Sequence, residues 1–336
     1  MRINRFGFRG DDWSEHPAPG TLRVAVLGDS MTDSSNLAES DSLTAKIQSH
    51  LSTCPKFSAR QVEVLNFGVA GYTTSQQYLQ LQQRVAAFSP SMVLLAYSAA
   101  SDVPENSRSL SPLKARPFFV MLPSGDLKFD GSFGDSDEFR QPVKRDWLPS
   151  LVNASYLLQA FKQIYLRNPI VPSPVKSHVF KLTGSEVLPQ LQYPHLFAAP
   201  ADETWGSAWA VTEGLLLRMR DWLHERDIPF GLVIIPDPAE ALPSDEMRHA
   251  VAQKYGLVDL DYPVARIADF ATRNRISHLS LLDGLRGFGD RNRQFAFGFH
   301  AERPGEGHLN AVGTDVSGSA IADWLCSSAE KGDRLN

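Results

Sequence analysis

The sequence predicts an α/β fold built on a parallel sheet. Three observations predict it. The strand-like segments are near-continuous apolar runs, which is how strands covered on both faces read. The segments between them space their apolar residues at helical intervals. The order is β-α-β-α-β through the first third of the chain, and the same alternation returns in the last third.

Residues 1–20 are polar and rich in turn formers, ending in HPAPG. Thr21 to Leu27 is the first buried strand. DSLTAKIQSHL places Leu43, Ile47 and Leu51 four apart, a helix face. Val62 to Asn66 is the second strand. The following helix carries Tyr78, Leu81, Val85 and Phe88 on one side, and Pro90 closes it. Met92 to Tyr97 is the third strand. Late in the chain, TEGLLLRMRDWLHERD aligns Leu215, Met219 and Trp222, and IPFGLVIIPD is a fourth strand ending at Pro236. YPVARIADFATRN aligns Val264, Ile267 and Ala271, and ISHLSLLD is the fifth strand. The last helix carries a stripe of Val312, Val316, Ala320 and Trp324. The irregular stretch 103–208 reads as an insertion after strand three. It holds a hairpin turning at Pro123-Ser124-Gly125-Asp126, an amphipathic helix over 151–166 and a proline-rich loop. Its aromatics Phe118, Phe119, Tyr156, Phe161 and Tyr165 are read as core. The whole chain, 1–336, reads as one domain.

With 336 residues, 43% hydrophobic and 21% charged, the chain has ample material for a core. A net charge of −5 argues against a nucleic-acid protein, which carries a basic face. There is no phosphate loop, no zinc-type Cys/His spacing and no G-x-G-x-x-G, so no metal or organic cofactor is expected. No apolar run approaches the roughly 20 residues of a membrane span. Without an apolar leader the sequence as given reads as cytoplasmic, and as secreted or membrane-anchored if an upstream segment has been removed. Cys54 and Cys326 are too few for a disulfide framework, and spacing leaves their pairing open. Oligomeric state is not legible.

The chemistry starts at Gly28-Asp29-Ser30, where the first strand stops. Ligands of open parallel sheets sit beyond the carboxyl ends of the strands, and Ser30 lies at that edge. A helix beginning there would aim N–H groups at a developing oxyanion. A serine hydroxyl needs a base within reach, and the base needs an orienting acid. Of nine histidines, His308 is the best base candidate, in a glycine-rich loop ahead of the last helix. Asp29 is read as tying down its own loop.

These stretches resemble the SGNH, or GDSL, hydrolases. RINRFGFRG is similar to the lead-in of one bacterial branch, and VLGDSMT to the first block, with Ser30 as nucleophile. LNFGVAGYTT is similar to the second block, whose glycine falls on Gly71. LLAYSAASDVPEN occupies the third block, and GHLNAVG resembles the last, with His308 as base. The resemblance implies a flavodoxin-like three-layer α/β/α fold with strand order 2-1-3-4-5. It also implies an oxyanion hole made by the N–H groups of Ser30 and Gly71 and a third-block asparagine. Two positions depart from the pattern. Ser101 stands where that asparagine belongs, with Asn66 and Asn106 as alternative amides. Glu306 stands where the triad aspartate belongs.

An α/β-hydrolase elbow, G-x-S-x-G, is absent. The resemblance implies hydrolysis of small acyl esters, O-acetyl groups on saccharides among them, and the residues themselves leave the substrate open. Acyl transfer to a sugar hydroxyl, and a catalytically weakened saccharide binder, are the competing readings.

Overall fold

Five parallel strands form the central sheet of the computed structural model, which describes residues 2–140, 188–299 and 304–330. They are β1 (Leu22–Gly28), β2 (Val62–Gly68), β3 (Met92–Ser98), β6 (Phe230–Ile235) and β7 (Ser277–Ser280). Their order is β2-β1-β3-β6-β7, which is the expected 2-1-3-4-5. All the pairings are parallel. A separate antiparallel hairpin, β4 (Phe118–Met121) and β5 (Leu127–Asp130), sits where the turn signal placed it. The helices are α1 (Ser30–Asp33), α2 (Leu43–Leu51), α3 (Thr74–Gln83), α4 (Asp102–Asn106), α5 (Glu203–His224), α6 (Asp245–Tyr255), α7 (Tyr262–Arg273), α8 (Leu282–Asn292) and α9 (Ala311–Glu330).

The chain divides into two compact units, residues 1–131 with 188–336, and residues 132–187. The described part of the second holds short turns of helix at Ser132–Asp135 and Asp137–Arg140, with Phe133 edge-on to Phe139. The expected helix over 151–166, the proline-rich loop, Tyr156, Phe161 and Tyr165 lie outside the described residues. Phe118 and Phe119 are buried in the core, as expected.

Every residue of β1 is buried, because the sheet has a cluster of apolar side chains on each face. Leu27, Phe67, Leu95 and Trp209 belong to one face, and Val26, Leu43, Ile47 and Leu94 to the other. The buried stripe of α9 is shifted from the expected one. Val312 is exposed, whereas Gly313, Thr314, Ser317, Gly318 and Ile321 face inward. Small residues let α9 approach α2 closely. A Cβ at Gly318 would come within 2.9 Å of the Lys46 carbonyl carbon. Cys54 and Cys326 form a disulfide that ties α9 to the segment after α2 across 272 residues. Such bonds persist in oxidising compartments and are rare in the cytosol.

The N-terminal stretch is structured. Phe6, Phe8 and Trp13 form an aromatic cluster with Phe67 and Phe88. Arg23, buried inside β1, donates to Glu63 and to the carbonyls of Ser14, Glu15 and Phe88. Among the described residues, no helix is long and apolar enough to cross a membrane.

Candidate active site

The strand β1 ends in a single tight turn, not a long helix. Asp29 caps α1 by accepting the Met31 N–H at 2.8 Å, and Ser34 closes the turn in the left-handed region at φ 50°. The expected oxyanion-stabilising helix is thus only four residues long, so its N–H groups act locally and no macrodipole develops. Two glycines make room for the turn. A Cβ on Gly28 would fall 2.1 Å from Thr32 Oγ1, and one on Gly68 would fall 2.3 Å from the Asp33 nitrogen. The turn is held from both sides. Asn66 donates to the Thr32 carbonyl at 2.9 Å, and Arg9 donates to the carbonyls of Asp33, Ser34 and Leu37.

His308 approaches from the far end of the chain. Leu309 is buried and pairs with Phe297, and the His308 carbonyl accepts the Gly298 N–H at 2.9 Å. Gly305 and Gly307 take φ of +80° and +75°, a region open to glycine and strained for other residues. Asn310 then caps α9 by accepting from Val312 and Gly313. The result is a hydrogen bond of 2.8 Å between His308 Nε2 and Ser30 Oγ. Both side chains are half-buried.

The remaining expected residues are placed as follows. Glu306 Oε1 accepts the Gln190 N–H at 3.0 Å, and among the described residues no hydrogen bond joins Glu306 to His308. Gly71 lies in the loop after β2 with φ +78°. Strands β2 and β1 are in register from Leu22–Val62 to Gly28–Gly68, so this loop and Ser30 leave the sheet at the same edge. Among the described residues, neither the Ser30 nor the Gly71 N–H has an intrachain acceptor. Ser101 precedes α4 and donates to Ser98 Oγ at 3.2 Å.

The alternative amides are both committed elsewhere. Asn66 is spent on Thr32 and on the Gly68 N–H. Asn106, fully buried, accepts from the Ser75 N–H and hydroxyl and donates to Thr212. Asp102 accepts from the N–H groups of Thr74 and Ser98. Asp102 and Asn106 therefore supply the acceptors that the first turn of α3 lacks, and they lock the loop after β2 to the one after β3. Sequence reasoning missed this lock. The signal was an acid and an amide spaced four apart just after a buried strand.

Burial raises the Asp29 carboxyl to about 6, and the nearby His308 opposes that rise. Asp102 is pushed well above the ordinary carboxylate range, mainly by burial and then by Asp29. Asp237, at the end of β6, is also raised to about 6 by burial. Among the described residues, no group of three or more His, Cys, Asp and Glu side chains is placed to hold a metal. A cavity of about 450 Å³ lies along the outer edge of β2, lined by Arg9, Trp13, Gln48 and Glu63 among others, and includes neither Ser30 nor His308.

No family model matches the chain, and no curated protein sequence matches it. Solved structures do. A two-domain esterase active on acetylated mannans is 11% identical with a TM-score of 0.43, over 93% of this chain and 51% of that one. This chain thus spans about half the length of that protein. An acetyl xylan esterase is 13% identical with a TM-score of 0.42, over 91% of this chain and 99% of that one. A GDSL-like lipase from Bacteroides thetaiotaomicron is 12% identical with a TM-score of 0.37, covering 93% and 91%.

Proposed function

We propose that the protein is a serine esterase acting on small acyl esters. The observation that carries this reading is the 2.8 Å contact between Ser30 Oγ and His308 Nε2, made across 278 residues at the carboxyl edge of the sheet. A binding role has no use for that pair. An imidazole nitrogen at this distance can accept the hydroxyl proton as the oxygen attacks.

In the first step Ser30 Oγ bonds to the acyl carbon, its proton passes to His308 Nε2, and the carbonyl oxygen takes up negative charge. The unspent N–H groups of Ser30 and Gly71 are the donors assigned to that oxygen. His308 returns the proton to the departing alcohol, leaving an acyl-Ser30 ester. Water then attacks with the same proton relay and releases the acid. Glu306 is assigned the orienting role from its place two residues before His308 on the same loop. The buried Asp29 anion adds a field that favours the imidazolium formed during attack. Ser101 is assigned a supporting part in the oxyanion hole. Its hydroxyl must turn from Ser98 to take that part, which favours a slower enzyme than an asparagine would give. Acyl transfer differs only in the second step, where an alcohol replaces water.

The test is hydrolysis of p-nitrophenyl acetate, butyrate and octanoate by the wild type beside Ser30→Ala and His308→Ala. Activity lost in both variants supports the mechanism. A wild type no faster than Ser30→Ala on every ester would overturn it and leave the weakened-binder reading.

A further inference from the structure

We propose that Arg9 is a positioning residue for the nucleophile: from the N-terminal segment its guanidinium grips the turn that carries Ser30 and keeps the hydroxyl within reach of His308. The proposal deepens the esterase reading and rests on it.

A helical turn of four residues does not hold itself. Closing one turn fixes several dihedrals for each hydrogen bond gained, so an isolated turn is unfavourable. Two backbone bonds close α1, from the Asp33 N–H to the Asp29 carbonyl and from the Ser34 N–H to the Ser30 carbonyl, both at 2.9 Å. Ser34 also sits at φ 50°, where residues other than glycine are uncommon. Arg9 grips these same residues from outside. Its Nη1 donates to the carbonyls of Asp33, at 3.1 Å, and Ser34, and its Nη2 donates to that of Leu37 at 2.7 Å. The residues whose N–H groups fix Asp29 and Ser30 are therefore the residues whose carbonyls Arg9 fixes. The path of hydrogen bonds from the guanidinium to the Ser30 carbonyl runs through Ser34 alone.

Arg9 is itself held in place. Ile3 and Arg9 form a backbone bridge, Asn4 accepts from the N–H groups of Phe6 and Phe8 at 3.1 and 3.0 Å, and Phe8 packs edge-on against Phe67 of β2. The arginine is 3% exposed, and among the described residues no carboxylate pairs with it. Its Nε has no partner, so every hydrogen bond of the side chain goes to the turn and the residues just after it. Burying a guanidinium without a counter-ion costs free energy, and an apolar side chain of similar volume would stabilise the segment as well or better. What the guanidinium alone supplies is a rigid fork of donors that holds the carbonyls of three residues at once.

The experiment measures kcat and KM on p-nitrophenyl acetate for wild type, Ser30→Ala, Arg9→Ala, Arg9→Lys and Arg84→Ala. Thermal unfolding of each protein is recorded, and rates are taken well below Tm. Arg84→Ala is the control. Arg84 ties the same segment, through the Phe6 carbonyl at 2.6 Å and the Phe8 ring, and among the described residues it makes no bond to the turn. A displacement of about 1 Å in a reacting group costs about 100-fold, so kcat is expected to fall about 10- to 100-fold in Arg9→Ala while KM holds. Arg9→Lys keeps the charge without the fork, and its kcat falls less. Arg9 lines the cavity along the outer edge of β2, which gives a small cation a way in. Millimolar guanidinium chloride is therefore expected to restore part of the lost kcat in Arg9→Ala, and sodium chloride is not. Arg84→Ala keeps its kcat. An Arg9→Ala as active as wild type per folded molecule overturns the proposal and leaves the esterase reading intact. Where that variant does not fold, Arg9→Lys at wild-type kcat overturns it instead. Equal losses of kcat in Arg9→Ala and Arg84→Ala also overturn it, because they report a loosened segment and not a displaced nucleophile. A wild type no faster than Ser30→Ala overturns the esterase reading, and the proposal falls with it.

Discussion

Replacing Asp29 by asparagine should make the protein more stable and less active above neutral pH. Asp29 is 8% exposed, and burial lifts its carboxyl from 3.8 to about 6. A group whose pKa is raised on folding stabilises the fold below its unfolded value, and that contribution is lost as pH rises through the folded value. A rise of that size corresponds to about 3 kcal/mol. Asparagine keeps the cap on the Met31 N–H and carries no charge at any pH. The two proteins should therefore be equally stable near pH 3. Between pH 4 and 6 the gap should open, with Asp29→Asn ahead by about 3 kcal/mol at pH 8. With an unfolding entropy of about 2.1 cal/mol/K per residue, that is roughly 4 °C in Tm. Asp237 titrates through the same window in both proteins and cancels in the comparison. The same change removes a negative field from His308, so kcat/KM should fall at pH 8. The assay is thermal unfolding of both proteins from pH 3 to 8, with esterase rates on the same samples. A variant no more stable than wild type at pH 8, or a gap independent of pH, would refute the reasoning.

Two other changes probe the site and its scaffold. Ser101→Asn places a longer amide where the Ser101 hydroxyl now turns toward Ser98. It is expected to raise kcat on p-nitrophenyl acetate by about 10- to 100-fold, below the full effect of one oxyanion donor. A rate that stays level or falls would remove position 101 from the oxyanion hole. Reducing the Cys54–Cys326 disulfide reopens a loop of 272 residues in the unfolded chain. It should cost about 5.6 kcal/mol in the chain-entropy account, a Tm drop of roughly 8 °C. A Tm indifferent to reductant, with free thiols verified by titration, would show that the bond does not contribute.

Much of the site was legible because it is built from local signals. Ser30 is legible where an apolar strand breaks on glycine, acid and hydroxyl. His308 is legible because glycines and Asn310 punctuate the chain before a helix. The helices α6 and α8 were missed for local reasons too. Gly284, Gly287 and Gly289 make α8 read as loop, although Gly289 is what allows its close approach to Pro243, where a Cβ would sit 3.0 Å from the proline Cα. The first turns of α5 likewise fall within the stretch 103–208 that reads as an insertion. Tertiary contacts overrode propensity in these helices, as they routinely do.

By itself the sequence determined the alternation of strand and helix, the burial of the sheet on both faces, and the two residues that meet at its edge. These depend on periodicity and on turn chemistry, which are properties of neighbouring residues. Only the tertiary structure decided who pairs with whom. It joined Cys54 to Cys326, gave Asn66 and Asn106 to the scaffold, and set Gln190 against Glu306. A side chain's partner is set by which elements pack together across the sheet, and no local pattern carries that information.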